Sequence, residues 1–406
     1  MHADADALVI GAGPAGSASA ILLARAGWRV LLVEQHEFPR QKVCGECISA
    51  ASLALLDVLG IGGDLRRVAG PELTRVGWIG SKKTIEADFP RCNGGTYAYG
   101  RALGRDVLDA LLLARARAVG VTVIQPARVQ RLRGGPGSFL CDIVGPAREQ
   151  RETRSVHAVI DAHGSWEAGP RIAAAAESQA LPRAPRRDSD LFAFKARYRG
   201  SGLADGLLPV LAFAGGYGGL VVAEDGLTTL ACCIRRDALR ACRAALPGGS
   251  AGEAVSLHLR RSCPPLREQI DVGKIEGGWL SVGPIRPGIR VAEGVDVFRV
   301  GNAAGETHPL IGEGISMALQ SAFLLARHLS GHAAAALDRR STLALNRRYA
   351  AAWCTRFAPR LGVAKAYAHA AMRPAVALPL QALLNSWPSL LTRAARLAGK
   401  AARSRQ

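Results

Sequence analysis

The opening of the chain constrains its fold more than any other stretch. An apolar run, Leu8-Val9-Ile10, leads into Gly11-Ala12-Gly13-Pro14-Ala15-Gly16. A segment of helical periodicity follows to Gly27, and a second apolar run, Val30 to Val33, ends at Glu34. Strand, glycine turn, helix, strand and acid in that order predict a doubly wound α/β unit built to hold a dinucleotide. Gly11 permits the tight turn, and Gly13 lets the backbone approach a pyrophosphate. Gly16 lets the helix pack on the strand, and the helix start at Pro14 and Ala15 offers N–H groups to the anion. Glu34 falls about 20 residues beyond the turn, where a carboxylate accepts ribose hydroxyl protons. An acid there repels a 2′-phosphate, so the tightly held nucleotide is expected to be FAD or NAD, not NADP. The glycine clusters at 134–137 and 215–219 lack the strand-turn-helix context and read as loops or hairpins.

Composition narrows the rest. With 406 residues, 49% of them apolar, the chain is expected to fold as two or three units around large cores. Its nine cysteines form no regular framework and no secretory leader is apparent, which predicts reduced thiols in a cytoplasmic protein. Cys44 and Cys47 make a C-x-x-C with no second pair at zinc spacing, so no metal is expected, and Cys232-Cys233 reads as core. Lys and Arg number 52 against 33 Asp and Glu, a net charge of +19. The arginines are dispersed and few aromatics sit among them, which favours a solvated basic surface and argues against nucleic-acid binding. No apolar stretch reaches the ~18 residues of a membrane span. Residues 376–406 contain no acid and mix Leu, Trp and Ala with Arg and Lys. They fit a basic amphipathic helix lying peripherally on a membrane, and equally a helix capping the fold.

The pattern predicts a discontinuous nucleotide domain over 1–65, 100–165 and 283–330, and a mainly antiparallel β substrate domain over 66–99 and 166–282. A helical C-terminal region follows over 331–406. Helices are expected at 49–60, 105–119, 236–246 and 251–262. A small β-meander is expected over 127–156, a separate core strand at 156–160 and another at 297–300. Asp225-Gly226 signals a hairpin turn.

Taken together, residues 5–330 resemble the p-hydroxybenzoate-hydroxylase-like FAD-dependent oxidoreductases, especially the branch with geranylgeranyl reductases and flavin-dependent halogenases. Three blocks carry the resemblance: the N-terminal fingerprint, the segment Phe38-Pro39-Arg40-Gln41-Lys42-Val43-Cys44-Gly45-Glu46, and residues 300–315. The 38–46 block is similar to that branch's loop running over the flavin, which implies that Lys42 and Cys44 lie beside the cofactor. The 300–315 block is similar to the family's second FAD motif. It implies that Asn302, Pro309, Gly312, Glu313, Gly314 and Ile315 line the cofactor, with the helix start at 312–314 facing the flavin pyrimidine. Such a helix end stabilises negative charge developing on the ring. Arg105, in Arg105-Asp106-Val107-Leu108-Asp109, resembles the family's R-x-x-L-D arginine.

The chain also departs from the family. Asn302 stands where an Asp is usual, and both types accept a hydroxyl. Ala162-His163-Gly164 replaces the A-D-G motif, with His163 in place of the aspartate. The halogenase W-x-W-x-I-P segment is missing, and only Tyr217 remains of the prenyl-reductase Y-x-W-x-F-P segment. The resemblance implies an enzyme holding FAD, reduced transiently by NADPH or NADH, that hydroxylates a small lipophilic aromatic or quinone-type substrate through a flavin hydroperoxide. A geranylgeranyl-reductase-like reductase of isoprenoid or quinone double bonds is a second reading, and an FAD protein that modifies a partner protein is a third. His308 and Cys44 are the candidate catalytic side chains, against plain loop-capping and packing roles.

Overall fold

The protein is described here by a computed structural model covering residues 3–147, 150–165, 167, 169–172 and 185–397. Strand β1 (Ala5–Ile10), helix α1 (Pro14–Arg25) and β2 (Val30–Val33) follow the expected order. Helix α2 (Ala50–Leu59) comes next, then β3 (Arg75–Ile79) and β4 (Thr84–Asp88). After α3 (Arg105–Ala118) come β5 (Thr122–Ile124), β6 (Arg128–Arg133), β7 (Phe139–Val144) and β8 (Arg151–Asp161).

The strands β1, β2, β5 and β8 form the parallel part of the first sheet, which β7 and β6 extend antiparallel beyond β8. β1 lies parallel between β2 (Ala7↔Val30) and β8 (Ala7↔Ala158), and β2 pairs parallel with β5. Buried on both faces, β1 can be a continuous apolar run, the usual pattern of a parallel core strand. The expected meander and the separate strand at 156–160 prove to share one element. The first half of β8 pairs antiparallel with β7, and its second half runs parallel to β1. A strand long enough to serve both neighbours shows no break in the sequence pattern.

The second sheet is built mainly from β9 (Leu191–Arg199), β10 (Leu207–Phe213), β11 (Gly216–Val222) and β12 (Thr228–Arg235), joined by β3 and β4. Asp225 and Gly226, at φ 52° and 68°, form the turn between β11 and β12. Left-handed backbone at both central positions is what a tight hairpin needs. The cluster at 215–219 belongs to a hairpin: Gly215, at φ 76°, turns the chain between β10 and β11, while Gly216, Gly218 and Gly219 lie inside β11 and not in a loop. A Cβ on Gly216 would come within 2.1 Å of the Phe213 ring, and one on Gly218 within 2.7 Å of the Ala231 carbonyl. Here glycine serves the close approach of neighbouring chain.

Helices α4 (Arg236–Ala244) and α5 (Ala251–Ser262) pack on this sheet, and β13 (Lys274–Ile285) forms its far edge. Strand β14 (Phe298–Arg299) returns to β8 in the first sheet. Four helices complete the chain: α6 (Gly314–Leu329), α7 (Arg339–Ala371), α8 (Pro374–Ser386) and α9 (Ser389–Leu397). Leu384 of α8 and Leu391 of α9 are buried against Val76, Trp78, Ile85 and Phe89 of the second sheet. Thr392 Oγ1 donates to the Asp88 carbonyl at 2.6 Å. Through Leu397 the C-terminal segment therefore caps the second sheet. Among the described residues no helix is long and apolar enough to cross a membrane.

Candidate active site

A cavity of about 420 Å³ runs from the glycine turn to the capping helices. Gly11, Gly13, Pro14, Ala15 and Glu34 line one end, with Lys42, Cys44 and Arg105 beside them. Asn302, Pro309, Gly312, Gly314 and Ile315 also line it. The sequence-predicted residues thus surround one space, apart from Gly16, Glu313 and His308, which do not reach its wall.

Those three have other work. A Cβ on Gly16 would lie 1.8 Å from the Gly11 carbonyl oxygen, so Gly16 keeps α1 tight against the turn. Glu313 is the N-cap position of α6 and is buried with its carboxylate 3.8 Å from Arg360. His308 lies behind Tyr217, whose hydroxyl is 3.0 Å from His308 Nδ1. Tyr217, and not His308, faces the cavity, and it takes over the place expected for the histidine.

The cradle fits FAD on its own geometry. Gly11, at φ +96°, has the Ala162 carbonyl 2.7 Å from where a Cβ would sit, so the fold itself requires glycine there. Gly13 is different, because its Cβ would meet only the Arg105 Nη2, at 3.6 Å. Protein packing gives no reason for glycine at 13, whereas a pyrophosphate laid against the turn does. A Cβ on Gly314, at the first turn of α6, would meet nothing within 4 Å. Sixteen residues of aligned peptide dipole end at that point of the cavity wall.

Cations gather beside Gly13. Burial, with Arg105 and Arg40 close by, brings the Lys42 ammonium down to about 8. Asp109 holds Arg105 through two hydrogen bonds of 2.8 and 2.7 Å. Glu34 is buried at the end of β2. Its Oε2 accepts the Ala12 N–H at 2.7 Å, and Oε1 accepts the His36 N–H at 3.0 Å. Ionised carboxylates have capacity beyond two such bonds, so these tie the acid to the turn and still allow ribose hydroxyls. The Asn302 amide donates to Ser165 Oγ and Glu306 Oε1 at 3.3 Å each, which leaves its oxygen to accept a ribityl hydroxyl. His163 lines the wall and is hydrogen-bonded to Asp161, so a carboxylate stands two residues before its expected place.

The loop over 38–46 is fixed by a buried ionic cluster that the sequence pattern does not reveal. Glu46, fully buried at φ 57°, is paired with Lys195, lies 3.0 Å from Arg197 Nη2 and accepts from Thr229 Oγ1 at 2.5 Å. Its Oε1 also accepts the Arg105 N–H at 3.1 Å, and its own N–H donates to Cys44 Sγ at 3.3 Å. The cluster joins the cofactor loop, the start of α3 and strands β9 and β12. Its members stand far apart in sequence, and two cations on one strand face give no signal of their partner.

Toward the capping helices the wall becomes apolar, with Val76, Trp78, Phe89, Leu384 and Leu391. Burial keeps Tyr217 well above the usual phenol range, with Cys233 and Glu306 adding to it. Burial, aided by His369 and Lys365, lowers His308 to about 4, so its imidazole is neutral at pH 7.

The site is a dinucleotide cradle opening into an apolar slot, and residues 4–166 match the FAD binding domain family, which makes FAD the cofactor. Beyond that segment, the chain as a whole shares the fold of solved flavin-dependent monooxygenases and halogenases. Its fold is shared by p-nitrophenol 4-monooxygenase PnpA from Pseudomonas putida, at a TM-score of 0.73 and 16% identity over 100% of both chains. The myxobacterial chondrochloren halogenase CndH has a TM-score of 0.68 and 23% identity over 85% of this chain and 79% of its own. In sequence, menaquinone reductase of Mycobacterium tuberculosis is 36% identical over 125 residues, 30% of this chain. That stretch spans only 29% of the reductase's own length.

Proposed function

We propose that this protein is a monooxygenase that hydroxylates a lipophilic aromatic or quinone-type molecule, with NADPH or NADH as the transient electron donor. The observation that carries the reading is the Tyr217 hydroxyl, backed by His308, in the wall of an otherwise apolar slot that continues the cofactor cradle. Bound FAD would supply the redox and oxygen chemistry. Gly13, Arg105 and Lys42 would hold its pyrophosphate, and Glu34 and Asn302 its hydroxyls. The first turn of α6 would stabilise charge on the ring. The chain's own contribution at the substrate is a proton site. With the His308 hydrogen on Nε2, Tyr217 Oη donates to the free Nδ1, so the tyrosine can pass its proton to His308 as it accepts one from a phenolic substrate, and the same two transfers in reverse return it. The side chains of α8 and α9 exclude water from the slot.

Reduction of an isoprenoid or quinone double bond is the second reading. It is favoured by the stretch similar to a menaquinone reductase and by Cys44 on the cavity wall. NADPH and NADH oxidation, measured with and without alkylated phenols and naphthoquinones and followed by product mass, separates the two. The proposal expects substrate-stimulated oxidation and the gain of one oxygen atom. A gain of two hydrogens would move the assignment to the reductase, and no turnover with either donor would favour action on a partner protein.

A further inference from the structure

The capping helices have a second face. From Pro374 to Thr392 the sequence has no charged residue, yet much of α8 is open to solvent. Val376, Leu378, Leu383 and Trp387 are 41%, 55%, 41% and 59% exposed, and Leu397 at the end of α9 is 70% exposed. Exposed helix faces are ordinarily charged or polar, and large uncovered apolar patches mark interaction surfaces. Cations frame this one. Arg373 precedes α8, and Arg393 and Arg396 lie on α9; all three are exposed and none is ion-paired among the described residues. Lys82 and Lys83 are exposed in the turn beyond Gly80, which packs on Gln381 of α8. Glu86 and Asp88 are the acids of the adjoining β4, and Glu86 is engaged by Arg75 at 2.9 Å. After Asp338 the sequence has thirteen Lys and Arg and no Asp or Glu.

From this arrangement we infer that the outer face of α8 and α9 docks on an anionic phospholipid bilayer. The apolar side chains enter the headgroup boundary, and the flanking arginines meet lipid phosphates. A framing in which α8 and α9 carry cations and no acid favours an anionic surface over a second copy of this chain, which would bring the same cations face to face. The inner side of the same two helices, through Leu380, Leu384, Leu390 and Leu391, lines the cavity. A molecule dissolved in the bilayer would therefore need to cross only this helical layer to reach the slot. That consequence rests on the lipophilic-substrate reading, whereas the docking is tested by binding alone.

The test is co-sedimentation of the full-length holoprotein with vesicles of phosphatidylcholine alone and of equal phosphatidylcholine and phosphatidylglycerol. Binding is expected only to the anionic vesicles, weakening severalfold from low to high salt as the charges are screened. Leu383→Ser with Trp387→Ser should lower the affinity at least about tenfold. Arg393→Ser with Arg396→Ser should lower it about fivefold per cation. Unchanged flavin content and thermal midpoint would show that both variants are folded, and the arginine pair decides the matter should the first not fold. The inference is overturned if the wild type sediments with neither vesicle, or equally with both. It is also overturned if the folded variants bind like the wild type, or if deleting residues 398–406 alone abolishes binding. A concentration-dependent dimer broken by the Leu383 and Trp387 changes, without vesicle binding, would instead assign the face to a second copy. Turnover of a water-soluble phenol without vesicles reports on the proposed activity separately, so either idea can fail alone.

Discussion

Tyr217 Oη and His308 Nδ1 lie 3.0 Å apart, both residues buried, at the junction of the second sheet and the 300–315 segment. The tyrosine reaches the cavity and the histidine stands behind it. Removing the hydroxyl with Tyr217→Phe should lower turnover roughly a hundredfold or more while FAD content stays the same, because a positioned proton site contributes on that scale. Steady-state rates with a phenolic substrate, beside the absorbance ratio of flavin to protein, check this.

His308 also predicts an acid sensitivity. Its folded pKa, about 4, lies below the unfolded value near 6.5, so the unfolded chain takes up the proton first. Its contribution to stability is complete above about pH 6.5 and is lost as the pH falls toward 4, by up to about 3 kcal/mol. Urea unfolding across that range should show the loss, and His308→Gln should lack this component.

Gly13 and Gly16 should part company on substitution. Gly13→Val should fold and lose FAD, since its side chain would occupy ligand space and meet only Arg105. Gly16→Val should be destabilised outright, with the Gly11 carbonyl 1.8 Å from its Cβ. Cofactor content and thermal midpoint, measured on both, distinguish the two roles.

Lys42 makes cofactor binding depend on pH. In the apoprotein its ammonium, at about 8, is lowered by burial, Arg105 and Arg40 and supported by Glu167 and Asp109. A diphosphate raises it again, so binding above pH 8 takes up a proton. FAD affinity should fall by up to about tenfold per pH unit above that point. Titration calorimetry in buffers of different ionisation heat measures the uptake, and Lys42→Met should flatten the profile.

Much of this architecture is legible in the sequence where a local pattern has a local cause. The turn over 11–16, the acid at Glu34 and the helix start at Gly314 each follow from neighbouring residues. What escapes is non-local. Gly216 and Gly218 resemble loop glycines until Phe213 and Ala231 come against them. His308 is the better acid–base candidate on sequence until Tyr217, 91 residues away, proves to lie in front of it. Neither the cluster at Glu46 nor the apolar lid of Leu384 and Leu391 can be inferred before the second sheet is assembled. Glu46→Ala should accordingly cost about 3–5 kcal/mol, since it strands Lys195 and Arg197 without their shared carboxylate. Denaturant unfolding of this variant measures that loss.

The proposed oxygen transfer is tested most directly by turnover under ¹⁸O-labelled dioxygen with NADPH or NADH and a lipophilic phenol or naphthoquinone. The FAD-loaded protein should yield a product carrying one labelled oxygen atom. A product that gains two hydrogens and no label, formed equally well without dioxygen, would contradict the monooxygenase assignment.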